Sequence, residues 1–343
     1  MKKFIVFALF FSVSTGSAFA QLTFSGSVYA GIQLEIPYDT NEDESISAHH
    51  RTEGAPVFNF IATVSRENFG ARLDTSFSTD FSSAGEVSID GIYGWIDFLN
   101  NALRFTMGRI SSPVWVANLD PDNLFYFDKI TGFRLEYSTP LPGLRVGAAF
   151  RTEGITMGQF IRRPIFGATY FHPLFNAVLA YNMGSNGHLL FGFNFTGIPD
   201  LTTAGIQVRV GNIASWDDPG FGGSVEIKQK VGYRIMRPLT ASLLMGQRFF
   251  AEPLGDFQRR NTELFFTPSV SYTILPNLTG TFSVELFFAP DNFEETRVIT
   301  LNPRIEYMLR GPALLYFGYE LRLARYKQDS HHRISVGIEI RAF

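Results

Sequence analysis

The chain has 343 residues, of which 45% are hydrophobic, 15% aromatic and 18% charged, and its formal net charge is −3. The cysteine count is 0, which excludes a disulfide framework, a thiolate metal site and a cysteine nucleophile. An acidic balance also argues against nucleic acid as a partner, because such partners select a basic surface.

The chain opens on Lys2 and Lys3, followed by the short apolar run Phe4–Phe11. Ala18-Phe19-Ala20 then supplies a small-x-small cleavage site ahead of Gln21. This pattern predicts a cleaved secretory signal peptide over 1–20 and a single exported domain over 21–343. Past Ala20 no stretch approaches the roughly 18 consecutive apolar residues of a membrane helix. The 36 phenylalanines are many for this length, and aromatic residues girdle transmembrane barrels at both interfaces.

From Leu22 onward the pattern is strand after strand. The predicted elements run Leu22–Glu35, Val57–Ser65, Phe69–Thr79, Val87–Phe98, Leu103–Arg109, Ile130–Thr139, Leu144–Thr152, Ile165–His172 and Ala177–Gly184. They continue with His188–Thr196, Thr202–Ile213, Gly223–Arg234, Leu239–Phe250, Thr262–Ile274, Leu278–Phe288, Arg297–Leu309, Leu314–Arg325 and His331–Phe343. The hairpin Thr262–Phe288 shows the pattern best. Leu264, Phe266, Val270 and Tyr272 share one face, and Glu263, Thr267, Ser269 and Ser271 share the other. Its second arm repeats this, with Leu278, Phe282, Val284 and Leu286 set against Thr279, Thr281, Ser283 and Glu285. Side chains alternate across a strand, so each arm has an apolar and a polar wall. A strand of about 9–11 residues spans a bilayer.

Connections alternate in type. Thr139–Gly143, Pro173–Asn176, Gly197–Asp200, Pro276-Asn277 and Arg310–Pro312 are short and rich in turn residues. Longer polar ones lie between them, including the acidic segment Pro37–Ala55, Glu252–Asn261 and Ala289–Glu295. The expectation is an all-β, antiparallel, up-and-down transmembrane barrel of 16–18 strands with both termini periplasmic. A soluble sandwich or propeller uses shorter strands, of about 5–6 residues.

If the apolar face meets lipid, the alternate residues face the lumen. On Leu144–Thr152 that turns Arg145 and Arg151 inward. The same parity places Arg72, Asp74, Arg104, Arg209, Glu226, Lys228, Lys230, Arg304, Glu306, Glu320 and Arg322 inside. A charge on the lipid face near the midplane would cost about 2–4 kcal/mol. The long connection 110–129 is apolar at Val114-Trp115-Val116 and Leu124–Phe127, and it carries Asp120, Asp122 and Asp128. It is the candidate constriction segment. Folded inward, its acids would oppose Arg72, Arg104, Arg145 and Arg151 across the bore, the kind of charge arrangement by which pores select ions.

These features resemble the Gram-negative outer-membrane diffusion porins. Phe24–Ile32 is similar to the first strand of that family, and Leu103–Arg109 resembles the strand before its constriction loop. Arg134–Pro140 running into Leu144–Phe150 resembles the next hairpin, and Phe343 resembles the terminal aromatic read by barrel-assembly machinery. The resemblance implies an outer-membrane channel in contact with lipid, open to small hydrophilic solutes and ions, and assembled as a homotrimer. The chain departs from the pattern at its end, where Ile334, Val336, Ile338 and Ile340 lie on the parity opposite to Phe343, and it lacks the family's acidic loop motif.

Other classes fit less well. A barrel enzyme needs a His beside a Ser or Asp at the rim. The pairs His49-His50 and His331-His332 are adjacent in sequence, so their members point to opposite faces of a strand and make no natural metal site. No motif for a metal, a cofactor or a phosphate loop is present. A substrate-specific transporter and a surface adhesin or antigen barrel stay as alternatives, distinguished by an aromatic track and by long outer loops respectively.

Overall fold

A computed structural model describes residues 21–38, 44–48, 58–78, 86–110, 130–152, 164–183, 187–213, 223–250, 262–290, 293–309, 312–326 and 329–342. Its strands in chain order are β1 (Gln21–Pro37), β2 (Ser45–Ala48), β3 (Phe58–Arg66), β4 (Phe69–Ser78), β5 (Glu86–Phe98), β6 (Leu103–Ile110), β7 (Ile130–Ser138), β8 (Leu144–Arg151), β9 (Ile165–His172) and β10 (Phe175–Asn182). The wall continues with β11 (His188–Phe195), β12 (Leu201–Gly211), β13 (Ser224–Met236), β14 (Leu239–Phe250), β15 (Thr262–Leu275), β16 (Leu278–Phe288), β17 (Val298–Met308), β18 (Ala313–Ala324) and β19 (His331–Ala342).

Every pairing is antiparallel, and the sheet closes on itself through β1 and β19, in register from Gly26 opposite Ala342 to Pro37 opposite His331. Along its first half β1 pairs with β3, and at Ile32–Glu35 it pairs with β2. Strands β2 and β3 therefore share one place in the wall, and the closed barrel has 18 wall positions. Closure removes the unpaired edges that an open sheet would present.

The register sorts each strand into two faces. One carries large apolar side chains that stay exposed around the circumference, such as Phe24 at 51%, Met107 at 62% and Phe282 at 48%. A continuous apolar girdle of this kind is a liability in water and is what a lipid-facing wall requires. The other face carries the charged and hydroxyl side chains and lines the lumen.

Tight turns at 67–68, 99–102, 173–174, 237–238 and 276–277 lie at the same barrel end as Gln21. The turn between β5 and β6 is built from Leu99, Asn100 and Asn101 at positive φ, a conformation that asparagine tolerates. The opposite end holds the longer connections. After β16 the chain makes one helical turn, Phe293–Thr296, pinned where the Ala289 amide donates to Thr296 Oγ1 at 2.7 Å.

Three expectations are corrected. Ser45–Ala48, inside the stretch expected to be a solvated loop, forms a strand on β1. The β9–β10 turn is Pro173-Leu174 alone, because Phe175 and Asn176 already pair with His172 and Phe171. Ala289–Glu295, expected as a polar loop, is partly the helical turn. The strand count, 18, is the upper end of the expected range. The signal segment 1–20 lies outside the described residues.

Candidate functional site

The lumen wall is organised by charge ladders that run across strands. The clearest lies toward the end opposite Gln21. Arg209 on β12 sits opposite Glu226 on β13, Glu226 opposite Arg248 on β14, and Arg248 opposite Glu263 on β15. The signs alternate around four neighbouring strands. Arg248 donates from Nη2 to Glu226 Oε1 at 2.6 Å and from Nη1 to Glu263 Oε2 at 3.2 Å, and Arg209 donates to Glu226 Oε2. Residues directly opposite on antiparallel strands are in reach of each other, so the register makes the ladder.

A second ladder crosses the closure seam. Glu320 on β18 faces Arg333 on β19, which faces Glu35 on β1. Arg333 donates from Nε to Glu35 Oε2 at 2.8 Å and from Nη1 to Glu320 Oε1 at 3.3 Å. His331 Nε2 lies 2.9 Å from the same Glu320 oxygen. The first and last strands are thus tied by charge-assisted bonds as well as backbone pairing.

Other luminal charges pair locally. Arg104 on β6 grips Asp97 on β5 with two parallel bonds, Nε to Oδ1 at 2.7 Å and Nη2 to Oδ2 at 2.8 Å, and Glu136 stands opposite Arg104 on β7. Arg72 reaches Asp74 two residues along β4, at 3.2 Å from both Nε and Nη2. Arg134 reaches Glu136 at 2.9 Å, and Arg304 reaches Glu306 at 3.2 Å. All lie on inward positions.

One part of the inner wall is apolar. Ile110, Ile130, Ala149, Ile165, Val178, Ala180 and Leu190 run across β6 to β11 on the lumen-facing parity, and each is at most 1% exposed. Side chains pointing into a wide bore reach zero exposure only when something covers them from within. Ile110 and Ile130 face each other at the two ends of segment 110–129. Two residues along, Gly108 and Gly132 are also opposite each other, at φ of 130° and 157°. A side chain at either would run into carbonyl oxygens, that of Ile92 at 2.3 Å or that of Phe150 at 1.9 Å. Glycine supplies the backbone freedom that both strands use at this point.

The sequence-derived site residues divide clearly. Arg72, Arg104, Arg145 and Arg151 occupy inward positions on β4, β6 and β8, as parity implied. They do not form one cluster. Arg72 and Arg104 each hold their own acid, and the Arg145 guanidinium lies 5.7 Å from the Phe171 ring centroid. Asp120, Asp122 and Asp128 lie outside the described residues, as does Phe343. The β1–β19 register continues to Ala342 without a shift, so no bulge up to that point alters the parity of the last strand. His331 and His332 point to opposite faces, with His332 Nδ1 2.6 Å from the Tyr319 hydroxyl. Among the described residues no three His, Cys, Asp or Glu side chains converge as a metal site.

Sequence reasoning missed the ladder partners Arg248, Arg333 and Glu35, and it missed the apolar luminal patch. The patch had a signal: Ile130, Ile165 and Val178 are apolar at positions where parity asks for polar residues.

A closed antiparallel barrel, apolar outside and charged inside, is the fold of transmembrane β-barrels. No family model matches the sequence, and no curated protein matches it. Among solved structures the chain is similar to OccK11 (OpdR) of Pseudomonas aeruginosa, with TM-score 0.60 and 12% identity over 94% of this chain and 96% of that one. It is also similar to OccAB3 of Acinetobacter baumannii, with TM-score 0.62 and 11% identity over 93% and 98%. A triple mutant of the Rhodopseudomonas blastica porin gives TM-score 0.52 and 11% identity over 93% and 99%. At these identities the likeness shows the fold.

Proposed function

We propose that this protein is an outer-membrane porin: a water-filled channel for passive diffusion of small hydrophilic solutes and ions, exported by residues 1–20. The observation that carries this reading is the pairing of a charged inner face with an 18-strand wall. Barrels of about 16–18 strands leave an aqueous channel that wall side chains cannot fill. The alternating ladders line that channel with fixed charge of both signs, and the apolar girdle supplies the membrane contact. The fold shared with solved outer-membrane channels and porins supports the same location.

Within this reading segment 110–129 folds into the lumen and narrows it. The support is the buried apolar patch, whose first two strands, β6 and β7, meet that segment at Ile110 and Ile130. Val114-Trp115-Val116 and Leu124–Phe127 have the composition to cover such a patch. Asp120, Asp122 and Asp128 would then reach the bore and face the wall arginines, Arg72, Arg104, Arg145 and Arg151. The homotrimer and the recognition of Phe343 by assembly machinery complete the proposal, carried by the family resemblance alone.

The test is conductance of the purified, refolded barrel in planar lipid bilayers. Discrete ohmic steps in simple salt solutions support a diffusion channel. A folded but silent barrel would overturn it and favour a surface adhesin, and current blocked by one solute class alone would favour a dedicated transporter.

A further inference from the structure

Among the described residues an aromatic ring lies over three inward glycines, Gly70, Gly246 and Gly337, and at the first two the ring also meets a cation. A Cβ placed on Gly246 of β14 would lie 1.7 Å from Cε1 and 2.0 Å from Cζ of Phe265, which stands directly opposite on β15. A Cβ on Gly70 of β4 would lie 2.2 Å from Cζ2 of Trp95, directly opposite on β5. Both rings therefore occupy the volume that a side chain would take at those glycines. Each ring also meets a cation from a further strand. Lys228 Nζ on β13 lies 5.8 Å from the Phe265 centroid, and the Arg104 guanidinium on β6 lies 5.6 Å from that of Trp95. These distances are within the range of cation–π attraction.

We propose that Gly70 and Gly246 set the bore of the channel, by giving Trp95 and Phe265 a bare stretch of backbone on which to lie. This rests on the channel reading above. An inward aromatic ring has two places to go, flat along the wall or out into the lumen. Backbone lies beneath the ring, so a side chain at the glycine displaces the ring off the wall, toward the lumen. The lifted ring narrows the passage and releases its cation from the position it holds over the ring face. Glycine at these places weakens a strand by giving up side-chain packing, and the overlying ring restores that packing while leaving the lumen clear.

The test compares single-channel conductance and reversal potential under a salt gradient for wild type, G246A, F265A and G246A/F265A, each confirmed as a folded barrel by its heat-dependent gel mobility. The expected result is a loss of conductance in G246A and its return to at least the wild-type value in the double variant. F265A alone should conduct at least as well as wild type, with a shifted reversal potential because Lys228 loses its ring. G70A, W95A and G70A/W95A should show the same rescue. Unchanged conductance in G246A and G70A would overturn the inference, and so would a loss that removing the ring fails to restore. Should G246A not fold, an F265A conductance below wild type would overturn it. A silent wild-type barrel would instead refute the channel reading itself.

Discussion

Glu226→Gln should weaken the barrel by an amount the ladder geometry sets. The Glu226 side chain is only 6% exposed and accepts from both Arg209 and Arg248, whose side chains are 42% and 40% exposed. A hydrogen bond to a charged group contributes about 1.5–3 kcal/mol when sheltered, and an exposed ion pair contributes about 0–1 kcal/mol. Here a sheltered acceptor meets half-hydrated donors. The amide keeps the shape and one acceptor oxygen but loses the charge, so the expected cost is about 2 kcal/mol. Arg248→Gln should cost less, because Glu226 keeps Arg209. The two substitutions together should show a coupling of about 1 kcal/mol, since they act on one bond. Equilibrium urea unfolding of the barrel in phospholipid vesicles, followed by tryptophan fluorescence, measures both quantities. A loss below about 0.5 kcal/mol with no coupling, as for an ordinary surface change, would refute the view that the ladder is a sheltered, register-dependent network.

Three further outcomes follow from the same structure. Phe282→Lys, on the lipid wall, should destabilise the barrel by about 2–4 kcal/mol if it lies near the midplane, while Ser283→Lys one residue along should be tolerated; vesicle unfolding compares them. Arg333→Leu leaves Glu35 and Glu320 without their shared cation at the closure seam, and should lower stability by about 1–2 kcal/mol. It should also lower the temperature at which the compact gel band disappears. Val178→Asp puts an unpaired charge into the buried luminal patch and should cost about 3 kcal/mol or more, whereas Ser269→Asp, on a hydroxyl-lined stretch, should cost far less. Equal, mild effects would mean that the patch is open to water.

Much of this barrel was legible because side-chain alternation is a local property. The faces of Thr262–Phe288 follow from spacing alone, and so do the inward positions of Arg72, Arg104, Arg145 and Arg151. What depends on register was not legible. Arg209, Glu226, Arg248 and Glu263 lie far apart in sequence, and only strand pairing sets them in a row. The flat rings of Trp95 and Phe265 needed the same information, because Gly70 and Gly246 are ordinary strand glycines until their cross-strand partners are known. Ser45–Ala48 was hard to see because its apolar face is only Ile46 and Ala48, too short to mark a strand, and it gains its place from β1. Phe175 and Asn176 read as turn from sequence because asparagine beside a proline-led turn usually belongs to it. The apolar patch was hidden for another reason: apolar residues on a lumen-facing parity make sense only when something covers them, and parity says nothing of covers.

The proposed channel requires the polar face to line a water-filled conduit. Because the chain has no cysteine, single cysteines can be placed at will as unique labels. A charged, membrane-impermeant thiol reagent added to barrels conducting in a bilayer should react with S283C and E285C on the inner face and reduce the current stepwise. It should leave V284C, on the outer face between them, unlabelled and its current unchanged. Labelling of V284C with S283C and E285C protected would contradict the account.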